Sequence, residues 1–103
     1  MTTTQKTKQD IINDISEHIR KEGSGPSRWY VGISEDARDR LFNQHGVSEK
    51  DGWWIYRVAS SSPVAREIEA YFIKTMGTDG GTGGGTDASR QVYAYKKTPA
   101  TRQ

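Results

Sequence analysis

Arg28-Trp29-Tyr30-Val31-Gly32-Ile33-Ser34-Glu35-Asp36-Ala37-Arg38-Asp39-Arg40-Leu41 is the stretch that decides how this chain is read. Its first half alternates, with Trp29, Val31 and Ile33 on one side and Arg28, Tyr30 and Gly32 on the other, the two-residue period of a half-buried strand. Ser34 then offers a hydroxyl to cap a helix, Glu35 and Asp36 suit its positive first turn, and Gly46 supplies a stop. The pattern predicts a helix over about 35–45 that buries Ala37, Leu41 and Phe42. A strand that runs straight into a helix points to an α/β (α+β) fold.

Upstream, Ile11, Ile12, Ile15 and Ile19 recur at helical spacing and predict an amphipathic helix over about 9–21, ended by Gly23-Ser24-Gly25-Pro26. The polar residues 1–7 read as disordered. Downstream, Trp53 to Ala59 is aromatic and branched and reads as a second strand. Ser62 is the expected cap of a third helix over about 63–76, with Pro63 in its first turn and Val64, Ile68, Tyr71, Phe72 and Met76 on its buried stripe. Gly77 closes it, and a glycine-rich loop fills 77–87. Gln91 to Lys97 alternates again, with Tyr93, Tyr95 and Lys97 on one face and Val92, Ala94 and Lys96 on the other, and makes a third strand. The expected order is α-β-α-β-α-β: a small three-stranded sheet flanked by helices, one domain over 8–97 and a tail at 98–103. Trp29 and one of the adjacent pair Trp53 and Trp54 belong in the core, because neighbours on a strand point to opposite faces.

A chain of 103 residues has room for one modest core. It has no cysteine, so disulfides and thiolate metal sites are excluded. Its two histidines, His18 and His45, are too far apart in sequence to make a helical zinc pair. No run approaches the roughly 20 apolar residues of a membrane span, so a soluble cytoplasmic protein with no membrane partner is the expectation. The formal charge of +2 says little, but residues 90–103 carry Arg90, Lys96, Lys97 and Arg102 without an acid. With Arg38, the first three are the expected nucleic-acid contacts. The glycine run lacks the spacing of a dinucleotide loop and the Gly-Lys-Ser/Thr of a Walker loop, which leaves a flexible linker or a phosphate-binding nest.

Phosphodiester cleavage needs a group that activates the nucleophile, a cation on the phosphate, and often a divalent metal for the charge that develops on oxygen. Tyr30, Arg40 and Glu69 are a hydroxyl, a cation and a carboxylate of those kinds. The run Tyr30-Val31-Gly32-x-Ser34-x-Asp36, with Arg40 ten residues after the tyrosine, is similar to the Tyr-x-Gly strand and arginine-bearing helix of the GIY-YIG nuclease superfamily. Trp54-Ile55-Tyr56-Arg57-Val58 resembles the strand that follows in that family. Glu69-Ala70-Tyr71-Phe72-Ile73-Lys74 resembles its glutamate-bearing helix. The resemblance spans roughly residues 28 to 77.

It implies metal-dependent cleavage of DNA, with tyrosines helping to activate water, Arg40 on the phosphate and Glu69 holding one Mg²⁺ or Mn²⁺. His45 falls near a family histidine, one residue later than in some members. Glu67 is the rival to Glu69, because the two flank the buried stripe by about 100° on opposite sides. The family's first strand, which bears Gly-Ile-Tyr, has no counterpart before Tyr30. Val92 to Lys96 is expected to take its place at the vacant edge of the sheet, with Tyr93 or Tyr95 as the second tyrosine. The alternative is a non-catalytic nuclease-like module that binds nucleic acid or inhibits a partner protein, as a phage or mobile-element anti-defence protein would. A plain oligomerising domain built on the isoleucine face is the third reading.

Overall fold

The computed structural model describes residues 6–81 and 88–103. Helix α1 (Lys8–Glu22) opens on a reciprocal cap: the Thr7 hydroxyl accepts from the Asp10 amide, and the Asp10 carboxylate accepts from the Thr7 amide. Lys6 reaches Asp14 at 2.9 Å. Lys6 and Thr7 thus contact α1, and residues 1–5 of the segment expected to be disordered lie outside the described residues. Gly23, with φ 90°, closes the helix in the left-handed conformation that favours glycine.

Strand β1 (Trp29–Ser34) follows a short 3₁₀ turn at Pro26–Arg28. Helix α2 (Ala37–Asp39, continued by a π-helical turn at Arg40–Gln44) starts two residues later than Ser34 predicts. Asp36 is its cap, accepting from the Asp39 amide at 3.1 Å, while the Ser34 hydroxyl turns back to take the Asp36 amide at 2.9 Å. Strand β2 (Trp54–Val58) leads to helix α3 (Ser62–Tyr71, continued by a second π turn at Phe72–Met76). Its cap is Ser61 rather than Ser62, which is itself the first helical residue.

The sheet has four strands, not three. Asp79–Gly80 forms β3, two residues long, parallel to β1 with Tyr30 opposite Asp79 and Val31 opposite Gly80. A Cβ at Gly80 would stand 2.3 Å from Ile73 Cδ1 and 2.7 Å from the Val31 carbonyl, so this pairing needs glycine. A glycine-rich stretch predicts a loop, which is why the strand escapes sequence reasoning. Positions 82–87 of the expected loop lie outside the described residues.

The last strand, β4 (Gln91–Lys96), is central. The order is β2-β4-β1-β3, with β4 antiparallel to both β1 and β2. The expected place at an edge is therefore corrected, and the residues supply the reason: Val92, Tyr93, Ala94 and Tyr95 are all buried. A strand that buries both faces belongs inside a sheet, since an edge needs charges or breaks to discourage further pairing.

The sheet separates two cores. On one face Trp29, Val31, Ile33, Val92 and Ala94 pack with the isoleucines of α1 and with Ala65, Ile68 and Phe72 of α3. On the other, Ala37 and Leu41 of α2 pack with Val47, Tyr93 and Tyr95, flanked by Tyr30, Phe42, Trp54 and Tyr56. Trp54 is the member of the adjacent pair that packs inward, and Trp53 is 41% exposed, its ring 5.3 Å from that of His18. No helix among the described residues is long and apolar enough to cross a membrane.

Candidate active site

Beside the aromatic core, a cavity of about 200 Å³ is lined by Tyr30, Gly32, Ile33, Arg40, Glu69, Gly81 and Tyr93. The polar lining side chains come from four elements: Tyr30 from β1, Arg40 from α2, Glu69 from α3 and Tyr93 from β4. Tyr93 lies directly across the ladder from Gly32. A Cβ on Gly32 would sit 2.6 Å from the Tyr93 hydroxyl oxygen, so the Tyr-x-Gly glycine is what lets the Tyr93 ring lie over β1. Gly81 does the same for Tyr30, whose hydroxyl oxygen would be 2.8 Å from a Cβ there.

The π turn of α2 arranges the cation. It is closed by the His45 amide donating to the Arg40 carbonyl at 2.8 Å. Residues five apart on an α-helix point about 140° from each other. Closing the turn over five residues brings the two nearer to one side, with Arg40 in the cavity and His45 behind its aromatic wall. Arg40 makes no salt bridge among the described residues.

Glu69 is only 6% exposed, whereas the Glu67 side chain is 59% exposed and lies 3.8 Å from Lys8. The helix thus aims Glu69 inward and leaves Glu67 in solvent. Burial raises the Glu69 carboxyl to about 7, against a smaller opposing pull from Arg66. The Tyr30 hydroxyl is pushed up by burial and then by Glu69, with Arg40 opposing. Burial holds the Tyr93 hydroxyl far above its ordinary value, and Arg40 again opposes. Both tyrosines are neutral hydroxyls at pH 7.

Behind Tyr93 stands His45, itself 6% exposed. Its Nδ1 lies 2.6 Å from the Arg102 carbonyl and its Nε2 lies 2.8 Å from the Tyr93 hydroxyl. A carbonyl can only accept, so the ring carries its proton on Nδ1 and takes the Tyr93 hydroxyl proton in a hydrogen bond at Nε2. Burial lowers the histidine's pKa, which keeps the ring neutral near pH 7. Tyr95 does not line the cavity; its hydroxyl lies 3.1 Å from His45 Nδ1 and, with that nitrogen protonated, donates to the Arg102 carbonyl at 3.2 Å, while its ring stacks on Tyr30 with centroids 5.2 Å apart.

The basic residues expected to touch nucleic acid do not converge on this cavity. Arg38 pairs with Glu49 and lies over the rings of Phe42 and Trp54. Lys96 pairs with Glu22 at 2.7 Å on the α1 side of the sheet, and Lys97 pairs with Asp79. Arg90 is exposed just before β4. Sequence reasoning missed Gly81 and Arg102; the first is hidden in a glycine run, and the second acts through a main-chain atom that leaves no side-chain signature.

Among the described residues no three His, Asp or Glu side chains converge on a metal position. A zinc centre does not fit this donor set. A lone buried carboxylate facing a cavity does fit Mg²⁺ or Mn²⁺, since Mg²⁺ is commonly bound by one or two carboxylates together with waters and substrate phosphate oxygens. Comparisons with protein-family models, with curated proteins and with solved structures find no match for the chain.

Proposed function

We propose that the chain is a rearranged GIY-YIG-type endonuclease that cleaves or nicks DNA phosphodiesters with one divalent ion. The observation that carries this reading is the cavity itself: Tyr30, Arg40, Glu69 and Tyr93, brought from four elements, line one space. The resemblance expects a second tyrosine from the Gly-Ile-Tyr strand. Tyr93 answers it from β4, paired antiparallel with β1. The family histidine that His45 matches stands one residue earlier in some members, and the π turn of α2 takes up the extra residue.

On this reading Arg40, with no carboxylate partner among the described residues, binds the scissile phosphate. Glu69 holds the Mg²⁺ or Mn²⁺, which supplies charge for the non-bridging and leaving oxygens when bound. The attacking water donates a proton to the Tyr93 oxygen as the Tyr93 hydroxyl passes its own to His45 Nε2. Tyr93 thus relays a proton without ever ionising, which suits a hydroxyl whose burial disfavours the phenolate. The Tyr30 hydroxyl orients the water or a phosphate oxygen from the opposite wall.

A plasmid-nicking assay with and without Mg²⁺ tests this. Wild-type protein nicks only with the metal, and Arg40→Ala and Glu69→Gln each lower the rate by about 10²–10³, the loss typical of removing one group that stabilises transition-state charge. Their circular dichroism spectra stay unchanged. No nicking by the wild type, with DNA binding that survives both substitutions and ignores metal, would move the protein to the alternative, a non-catalytic module that binds nucleic acid or a partner protein.

A further inference from the structure

Residues 98–103 fold back across the far side of His45. A turn starts the return, with the Thr101 amide on the Thr98 carbonyl at 3.1 Å and the Thr98 amide on the Thr101 hydroxyl at 3.0 Å. Arg102 then meets His45 twice. Its amide donates to the His45 carbonyl at 2.7 Å, and its carbonyl accepts from His45 Nδ1 at 2.6 Å. The same carbonyl takes the Tyr95 hydroxyl at 3.2 Å. Gly46, with φ 72°, carries the chain past this contact, and a Cβ there would be 3.4 Å from the Ala100 carbonyl. The Arg102 side chain contributes little: its Nη2 is 3.4 Å from the Asn43 carbonyl and the residue is exposed.

We propose that Arg102 is a positioning residue for the Tyr93–His45 pair, acting through its main-chain carbonyl to fix His45 as the Nδ1–H tautomer. The inference rests on the nuclease reading for its role in catalysis, but not for its geometry. A neutral imidazole has one N–H. With the proton on Nδ1, Nε2 is the acceptor and the Tyr93 hydroxyl proton points inward; of the two lone pairs on its oxygen, one takes the hydrogen bond from Arg40 and the other is left to receive a proton from water. With the proton on Nε2, Tyr93 could only accept from the ring and the direction of the relay would reverse; the Tyr95 hydroxyl, 3.1 Å from Nδ1, could then donate there, but the Nδ1 lone pair would still face the nearer Arg102 carbonyl at 2.6 Å, acceptor against acceptor. The strap therefore selects the tautomer that the reaction uses.

The test is the nitrogen chemical shifts of the His45 ring in ¹⁵N-histidine-labelled protein, measured beside the nicking rate. Wild type shows the Nδ1–H form. Deleting residues 101–103 shifts the ring to the Nε2–H form or a mixture and slows nicking at least tenfold, while the amide spectrum of the sheet persists. Restoring the three residues with alanine at 102 rescues both, because the carbonyl is what acts. If the deletion fails to fold, Arg102→Pro, which removes the amide that ties the strap to the His45 carbonyl, is read in its place with the same expected shift. An unchanged Nδ1–H tautomer in the variant would overturn the proposal, as would full nicking. A wild type that never nicks overturns the nuclease reading alone, and the tautomer measurement still decides the strap.

Discussion

The two faces of the sheet are built from the same three long strands yet serve different ends. The α1–α3 face is aliphatic and closed, with Ile11, Ile15, Val31, Ile68, Phe72 and Val92 at 0% exposure. The α2 face is aromatic and polar, with Tyr30, Tyr93, Tyr95 and His45 stacked or hydrogen-bonded to one another and a cavity at its side. Successive residues of β1 and β4 serve the faces by turns: Val31 stabilises and Gly32 shapes the cavity, Val92 stabilises and Tyr93 lines it. What differs is the cost each face accepts. Apolar side chains leave no polar group without water, whereas the Glu69 carboxyl is pushed well above its ordinary value by burial and the Tyr93 and Tyr95 hydroxyls must find partners inside the protein.

The sharpest way to break the comparison is at Phe72. Phe72→Ala removes a fully buried ring from the aliphatic core and is expected to cost about 3–5 kcal/mol in denaturant unfolding. Total stabilities of small domains are about 5–15 kcal/mol, so the variant would be close to unfolding at 37 °C. At 15 °C, where it still folds, its nicking rate should stay within a few-fold of wild type. A rate lost in proportion to stability would mean that the faces are not separable.

Next in size is Glu69, a buried carboxyl that lines the cavity and whose ionised form costs stability. Its carboxyl sits at about 7 in the folded protein against the reference 4.5. The folded state binds the proton more tightly, so the group favours folding below about pH 4.5, and that advantage is lost as pH rises through about 7. The shift corresponds to roughly 2–3 kcal/mol between pH 5 and pH 8. Glu69→Gln removes this dependence: relative to wild type it should gain that amount of stability at pH 8 and little at pH 5, read from urea midpoints at the two values. A variant equally stable at both would place the carboxylate in a wetter setting than its burial indicates.

Sequence patterns carried the aliphatic face further than the aromatic one. The isoleucine period of α1, the alternation of β1 and the capping of α3 within one residue are local signals, and each is met. Asp79–Gly80 was invisible because a two-residue strand has no period, and its pairing is decided by Val31 across the sheet. The central place of β4 was invisible for a related reason: Val92-Tyr93-Ala94-Tyr95 alternates aliphatic with aromatic, and both kinds are buried, so the pattern tells which face each residue takes but not how many neighbours the strand has. In the cavity, Tyr30, Arg40 and Glu69 were singled out by their resemblance to the nuclease motif, since helical spacing alone does not choose Glu69 over Glu67. The choice of Tyr93 over Tyr95 was not, because it depends on which of two cross-strand partners is glycine: Tyr93 faces Gly32, and Tyr95 faces Tyr30.

That glycine gives the smallest of the three effects and the most discriminating. Gly32→Ala adds one methyl whose Cβ would stand 2.6 Å from the Tyr93 hydroxyl oxygen and 2.7 Å from Cζ. Backbone strain is not the cause, since Gly32 has no positive φ. The ring end must move instead, and overpacking a buried site by one methyl costs about 1–2 kcal/mol. On the aliphatic face such a cost would be the whole effect. Here the displaced atom is the one that donates to His45 at 2.8 Å, so the methyl should also detach Tyr93 from Nε2. The expected result is a small fall in melting temperature with a nicking rate reduced at least tenfold and a shifted His45 ring signal. A fall in stability with both readouts unchanged would show that the aromatic face, like the aliphatic one, is there to be filled.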